Sequence, residues 1–196
     1  MSVPLGTVRP SEGVSLVTKL KARVVALFIL MTTVLAFETR PALAAVPSGS
    51  VVATFEGHSL NLALGWGAAR ACLIWRSHGI AECFRTKAEL DQRETQLRSL
   101  WTSSSGTPTC ADPLNLYTGS YYTGQQLVLW DEGYWQQLSD YGFADSTVSF
   151  VGGPCGFHLA EGDWGQGYWY PGYTGPWAST TDMGSWDNTV KSVYID

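Results

Sequence analysis

Apolar residues along the chain fall into three textures. The first is unbroken: Val24 to Phe37 carries no charge, stands behind Lys19, Lys21 and Arg23, and leads into "RPALAAVP". A basic patch, an apolar stretch and a small-x-small end predict a secretory signal peptide over residues 1–44. The stretch is short for a membrane span, which needs about 20 residues. The second texture is alternation. "SVVATFEGHSLNLAL" reads as two short strands around a turn at Glu56 and Gly57, and "ACLIWRSHGIAECF" as a β-hairpin turning at Ser77 to Gly79. "TKAELDQRETQLRSLW" then shifts to helical spacing, with Thr86 and Glu89 as a capping box and Ala88, Leu90, Leu97 and Leu100 as a partial apolar face. These elements form a predicted small unit over 45–101, closed by the polar linker 102–109.

The third texture begins at Cys110. It is rich in Gly, Tyr and Trp, with short strand-like runs and few helix formers, which predicts an all-β sandwich over 110–196. An internal repeat supports that assignment. "FADSTVSFV" from Phe143 and "WDNTVKSVYI" from Trp186 align on Ser149 and Ser192, an offset of 43 residues. A period near 40 ending in the same motif predicts two copies of one four-stranded unit. Trp130, Trp135, Tyr141, Phe143 and Trp186 are the bulky residues expected to pack the two sheets.

Charge narrows the choice of partners. Residues 45–98 hold six basic and five acidic side chains, whereas residues 99–196 hold one basic and ten acidic. The acidic half argues against nucleic acid, whose phosphates need Lys and Arg. Cys72, Cys83, Cys110 and Cys155 are an even set, as in a secreted chain with two disulfides. Of three possible pairings, Cys72–Cys83 and Cys110–Cys155 are favoured because each closes a loop within one predicted unit. Their loop entropies correspond to about 3 and about 4 kcal/mol.

The segment "LYTGSYYTG" places Tyr117, Tyr122 and Gly124 at the spacing of a hairpin folded back over its own sheet. The glycine accepts a left-handed backbone, a ring covers the exposed peptide groups, and a later serine, Ser149, bonds them. This stretch resembles one βγ-crystallin Greek key. The second copy, ending at Ser192, has Trp164 and Gly167 but not the same aromatic spacing. With "GGPCG", "YWYPG" and the closing "SVYI", the chain resembles the crystallin-fold metalloproteinase-inhibitor family of secreted actinobacterial proteins. The resemblance implies an all-β, two-Greek-key sandwich behind a small disulfide-linked hairpin and helix unit. It also implies a secreted, non-enzymatic inhibitor of an extracellular peptidase, acting through a rigid surface loop. Inhibitory members are expected to hold the reactive bond in a small disulfide ring in the second half. No cysteine follows Cys155 here, so the reactive bond cannot be carried over.

Candidate binding residues lie in two loops: Pro154 in "GGPCG", and Trp164, Tyr168, Trp169 and Tyr173 in "EGDWGQGYWYPGYTGPW". The competing expectation is a carbohydrate- or cell-envelope-binding module in which exposed rings form platforms for sugars. Calcium-binding crystallins use paired loops of the form Asn/Asp-Asn/Asp-x-x-Ser/Thr-Ser, and calcium needs six to eight oxygens. The corresponding residues here are Asp145 in the first loop and Asp187 and Asn188 in the second. Both loops lack the fifth-position hydroxyl, having Val148 and Lys191 instead. The expectation is therefore a degenerate site, no cofactor, and Lys191 as a counter-charge to Asp145 or Asp187.

Enzyme chemistry finds little support. His58, His78 and His158 form no His-Glu-x-x-His pattern, and "GWGAARA" has no nucleophile for a hydrolase elbow. Asp131 with Glu132, and Glu161 with Asp163, are carboxylate pairs of a kind seen in glycoside cleavage, but their Gly-flanked settings predict solvated loops.

Overall fold

The structure, a computed structural model, describes residues 49–102, 110 and 112–196. The predicted signal peptide, the linker past Thr102 and the side chain of Leu100 lie outside the described residues.

Strands β1 (Val52–Phe55) and β2 (His58–Asn61) flank the Glu56–Gly57 turn. These two residues take φ of 50° and 78°, the left-handed pair that a two-residue hairpin requires. Strands β3 (Ala71–Trp75) and β4 (Ile80–Phe84) form the second predicted hairpin, with Cys72 opposite Cys83 and disulfide-bonded to it. Helix α1 (Lys87–Thr102) opens on the capping box. The Thr86 N–H donates to Glu89 Oε2 at 3.0 Å, and the Glu89 N–H donates to Thr86 Oγ1 at 3.2 Å.

The remaining strands are β5 (Leu114–Gly119), β6 (Thr123–Leu129), β7 (Trp135–Gln137), β8 (Ser149–Val151), β9 (Phe157–Ala160), β10 (Ser179–Thr180) and β11 (Ser192–Ile195). They form two Greek keys that exchange strands. Strand β7 of the first key pairs with β11 beside β9, while β10 of the second key pairs with β8 beside β5. The two inner faces meet through Leu116, Leu127 and Phe150 on one side and Phe157, Leu159 and Val193 on the other, all buried. These are the two units expected from the repeat, arranged as the βγ-crystallin-like sandwich that the resemblance implies.

The N-terminal elements join that sandwich rather than standing beside it. Strand β3 pairs in parallel with β6, Ala71 opposite Gln126 through Ile74 opposite Leu129, giving one eight-stranded sheet in the order β10-β8-β5-β6-β3-β4-β1-β2. Leu62 and Trp66 enter the same core as Leu138, Tyr141 and Phe143, and Trp66 Nε1 donates to the Tyr141 carbonyl at 2.6 Å. All described residues belong to one compact unit. The expected boundary at 102–109 separates two stretches of sequence, but the sheet and the core run across it. A polar linker marks where the chain leaves a layer, and carries no information about long-range strand pairing.

Helix α1 covers the outer face of the large sheet. Leu90 and Leu97 pack on Leu73, Trp75, Val128 and Trp130, whereas Ala88 on the predicted apolar face is exposed. Trp130 is thus buried beneath the helix rather than between the two sheets. Trp135 also differs from expectation: it lies on the outer side of the small sheet, only partly buried.

Candidate binding groove

The two keys fold their hairpins alike. Ser149 Oγ accepts from the Tyr122 N–H at 3.1 Å and donates to the Gly119 carbonyl at 2.7 Å. Ser192 Oγ accepts from the Gly165 N–H at 2.9 Å and donates to the Gly162 carbonyl at 2.6 Å. The 43-residue offset maps each partner onto its counterpart. It also maps Tyr121 (φ 55°) onto Trp164 (φ 54°), and Gly124 (φ 79°) onto Gly167 (φ 77°). The second key therefore keeps the hairpin geometry that its sequence spacing obscures. What it lacks is the ring pair. Tyr117 and Tyr122, 5.7 Å apart, correspond to Ala160 and Gly165, and the Trp135 ring packs against Gly165 instead.

The loops that follow the hairpins clasp each other. The Asp145 N–H donates to the Val190 carbonyl at 2.9 Å, and the Asn188 N–H to the Thr147 carbonyl at 2.8 Å. Asp145 and Asn188 both adopt positive φ, 53° and 58°. Together with Glu161 and Lys191 they line a cleft of about 350 Å³. Asp187 turns away to accept from the Met183 N–H at 3.1 Å. These residues do not fit calcium. Ala144 and Val148 offer no side-chain oxygen, and Lys191 puts a cation in the cleft where a hydroxyl ligand would be needed. Lys191 is not an ion-pair partner of Asp145 or Asp187 either, since among the described residues no carboxylate lies within 4.0 Å of it.

Glu161 and Thr189 also border a neighbouring groove of about 380 Å³, lined further by Tyr168, Trp169, Ser185 and Trp186. The chain folds this wall in steps. The Glu161 N–H donates to the Tyr168 carbonyl at 3.1 Å, and Glu161 Oε1 accepts from the Tyr168 N–H at 3.2 Å. Trp169 pairs with Ala160 as a single bridge, and its Nε1 donates to the Gly165 carbonyl at 2.8 Å. Alternation then sends Tyr170 inward, edge-on to Phe150 and Trp186, and leaves Trp169 outside. Tyr168 is 77% and Trp169 49% exposed.

The structure thus brings Tyr168 and Trp169 together with Glu161, but not the other candidate residues. Trp164 stands at the hairpin tip, 63% exposed, and Tyr173 projects from the later turn, 72% exposed. Pro154 does not project. Gly152 and Gly153 beside it are buried, and Gly153 lies so close to the Asp112 carbonyl that no Cβ would fit. The Cys110–Cys155 disulfide fastens this loop from below. The sequence marks Glu161 only as one of a solvated carboxylate pair and does not mark Ser185 or Thr189. The signal for all three was the repeat, which sets the second-copy loop beside the hairpin. Asp131 is a correction of the other kind. It is 2% exposed, not solvated, and its carboxylate accepts from the Arg76 N–H at 2.6 Å and the Ser77 N–H at 3.0 Å, fixing the β3–β4 turn.

Several solved structures share the fold of the sandwich. A βγ-crystallin from Ciona intestinalis is 20% identical, matching 43% of this chain and 99% of its own, with a TM-score of 0.37. A mutant βγ-crystallin domain from Clostridium beijerinckii is 22% identical, matching 43% of this chain and 97% of its own, with a TM-score of 0.36. The N-terminal domain of protein S is 18% identical, matching 43% of this chain and 94% of its own, with a TM-score of 0.37. No protein-family model and no curated protein matches the chain.

Proposed function

We propose that this chain is a secreted, non-enzymatic binding protein whose aromatic groove takes a cell-envelope polysaccharide. The observation that carries this reading is the pair Tyr168 and Trp169, held open over a groove that also presents a carboxylate at Glu161 and hydroxyls at Ser185 and Thr189. A pyranose has an apolar face of C–H groups and a rim of hydroxyls. A fixed ring supplies a surface for the first, and carboxylate and hydroxyl oxygens bond the second. Rings kept in water by a rigid backbone mark an interaction surface more often than a packing defect. Two disulfides suit an oxidising, extracellular compartment.

Inhibition of an extracellular metallopeptidase competes on the same loop. The segment after β9 is stitched down by Phe157 N–H to Thr174 O at 2.8 Å, Tyr170 N–H to Leu159 O at 2.9 Å and Trp177 N–H to Gly153 O at 2.7 Å. A loop stiffened in this way loses little entropy on docking into an enzyme cleft. The sunken Gly152–Gly153 stretch removes the other candidate loop, and the groove favours a glycan over a protease. Retention of the purified protein on insoluble peptidoglycan, chitin and cellulose separates the two readings. Retention on at least one is expected, with a loss of roughly tenfold in affinity for Tyr168→Ala or Trp169→Ala. A thermolysin-like enzyme should keep full activity at micromolar protein. Inhibition of that enzyme without retention on any polysaccharide would reverse the order.

A further inference from the structure

The two keys are related closely enough that each position on one sheet has a counterpart on the other. On the outer face of the large sheet, Asn115, Val151 and Ser179 lie side by side in register across β5, β8 and β10. Their counterparts across β9, β11 and β7 are His158, Tyr194 and Trp135. Gln126, opposite Tyr117, corresponds to Trp169, opposite Ala160. Four small or polar positions on the large sheet thus correspond to four rings on or beside the small one.

Those rings touch as a closed set. Trp135 lies 5.6 Å from Tyr194 and 5.5 Å from Trp169, and His158 lies 4.8 Å from Trp169 and 6.2 Å from Tyr194. Packing alone predicts the opposite distribution. The large sheet's outer face is partly roofed by α1 and would reward bulky residues. Over the small sheet's ring row the hairpin turn at Asp163–Gly165 lies against one side of Trp135, and Trp135, His158, Tyr194 and Trp169 are all partly or well exposed. The patch holds no Lys or Arg. Its charged neighbour is Asp196, whose Oδ1 lies 3.2 Å from His158 Nε2 with the carboxylate half exposed.

We infer that this four-ring face is a second subsite, and that one linear pyranose chain runs from the groove across Trp169 onto the sheet. The inference rests on the glycan reading above and extends it from a single pocket to an extended path. Trp169 joins the two, because it lines the groove and also packs against Trp135 and His158 in the patch. The occupant follows from the surroundings. Exposed rings beside an acceptor carboxylate, with no Lys or Arg among them, suit an uncharged polyol better than phosphate or sulfate.

The test compares the dimer and the hexamer of β-1,4-linked N-acetylglucosamine by calorimetry on the full chain, with retention on peptidoglycan, chitin and cellulose alongside. The wild type should bind the hexamer roughly tenfold or more tightly than the dimer, because a second subsite engages only a long chain. The variant His158→Asn with Tyr194→Val installs the residues that the first key carries at these positions. It should lose the length advantage while keeping the dimer affinity. Tyr194→Val alone serves if the double variant unfolds early, and should lose part of the advantage. Equal dimer and hexamer affinities in the wild type, or an advantage that survives both variants, would overturn the subsite and leave the groove standing. No binding to any of these glycans would overturn both.

Discussion

Ser149 and Ser192 are the residues on which the hairpins depend. Each hydroxyl accepts one N–H and donates to one carbonyl of its own hairpin turn. Replacing either by alanine leaves a donor and an acceptor unpaired, at a cost of about 1–3 kcal/mol. We expect Ser149→Ala and Ser192→Ala to lower the urea midpoint by similar amounts with an unchanged m-value, because their environments are copies. Only Ser192→Ala should also weaken glycan binding, since the hairpin it holds forms the groove wall at Glu161. Equal binding losses in the two variants would contradict that link. Both serines were legible in the sequence, because the ending motif repeats. Trp164 and Gly167 fell on the repeat as well, but with Ala160 and Gly165 in place of the tyrosines the spacing looked broken. The substituting ring, Trp135, comes from a strand of the other key, and no local pattern could point to it.

At the scale of the element, α1 carries a conflict on its buried side. Glu94 stands between Leu90 and Leu97, with one carboxylate oxygen buried and without a partner among the described residues and the other 3.9 Å from Arg98. Desolvation raises its pKa above the ordinary value, against a smaller opposing pull from Arg98. The sign follows from proton binding. Between the unfolded and the raised folded pKa, the folded chain holds more proton than the unfolded one, so stability falls as pH rises through that window. Glu94→Gln removes the penalty. It should raise the melting temperature at pH 7, and its advantage should shrink as pH falls through that window and be gone below the unfolded carboxyl value of about 4.3. A variant advantage that grows at low pH would contradict the assignment. The existence and start of α1 were legible from Thr86 and Glu89. Its place was not, because it covers Val128 and Trp130, which reach it only through the parallel pairing of β3 with β6.

At the scale of the whole molecule, that pairing decides whether the crystallin part is a domain in its own right. The edge of β6 is closed by β3, and the outer face at Val128 and Trp130 is closed by α1. On the inner side, Trp66 and Leu62 fill space beside Tyr141 and Phe143. Removing residues 49–102 would open a strand edge of seven residues and strip apolar cover from both faces of the sheet at once. An uncovered edge beside exposed apolar surface is an aggregation site. Residues 110–196 expressed alone should therefore lose near-ultraviolet ellipticity, bind a hydrophobic dye and self-associate, while the chain from residue 45 unfolds in one cooperative transition. A sharp, dye-free transition of 110–196 alone would show that the keys stand without the N-terminal strands, and that the polar stretch at 102–109 separates two domains after all. The structure argues the other way: β3 and α1 complete the large sheet, while the small sheet has no such helix over it among the described residues and keeps its ring-bearing face partly exposed.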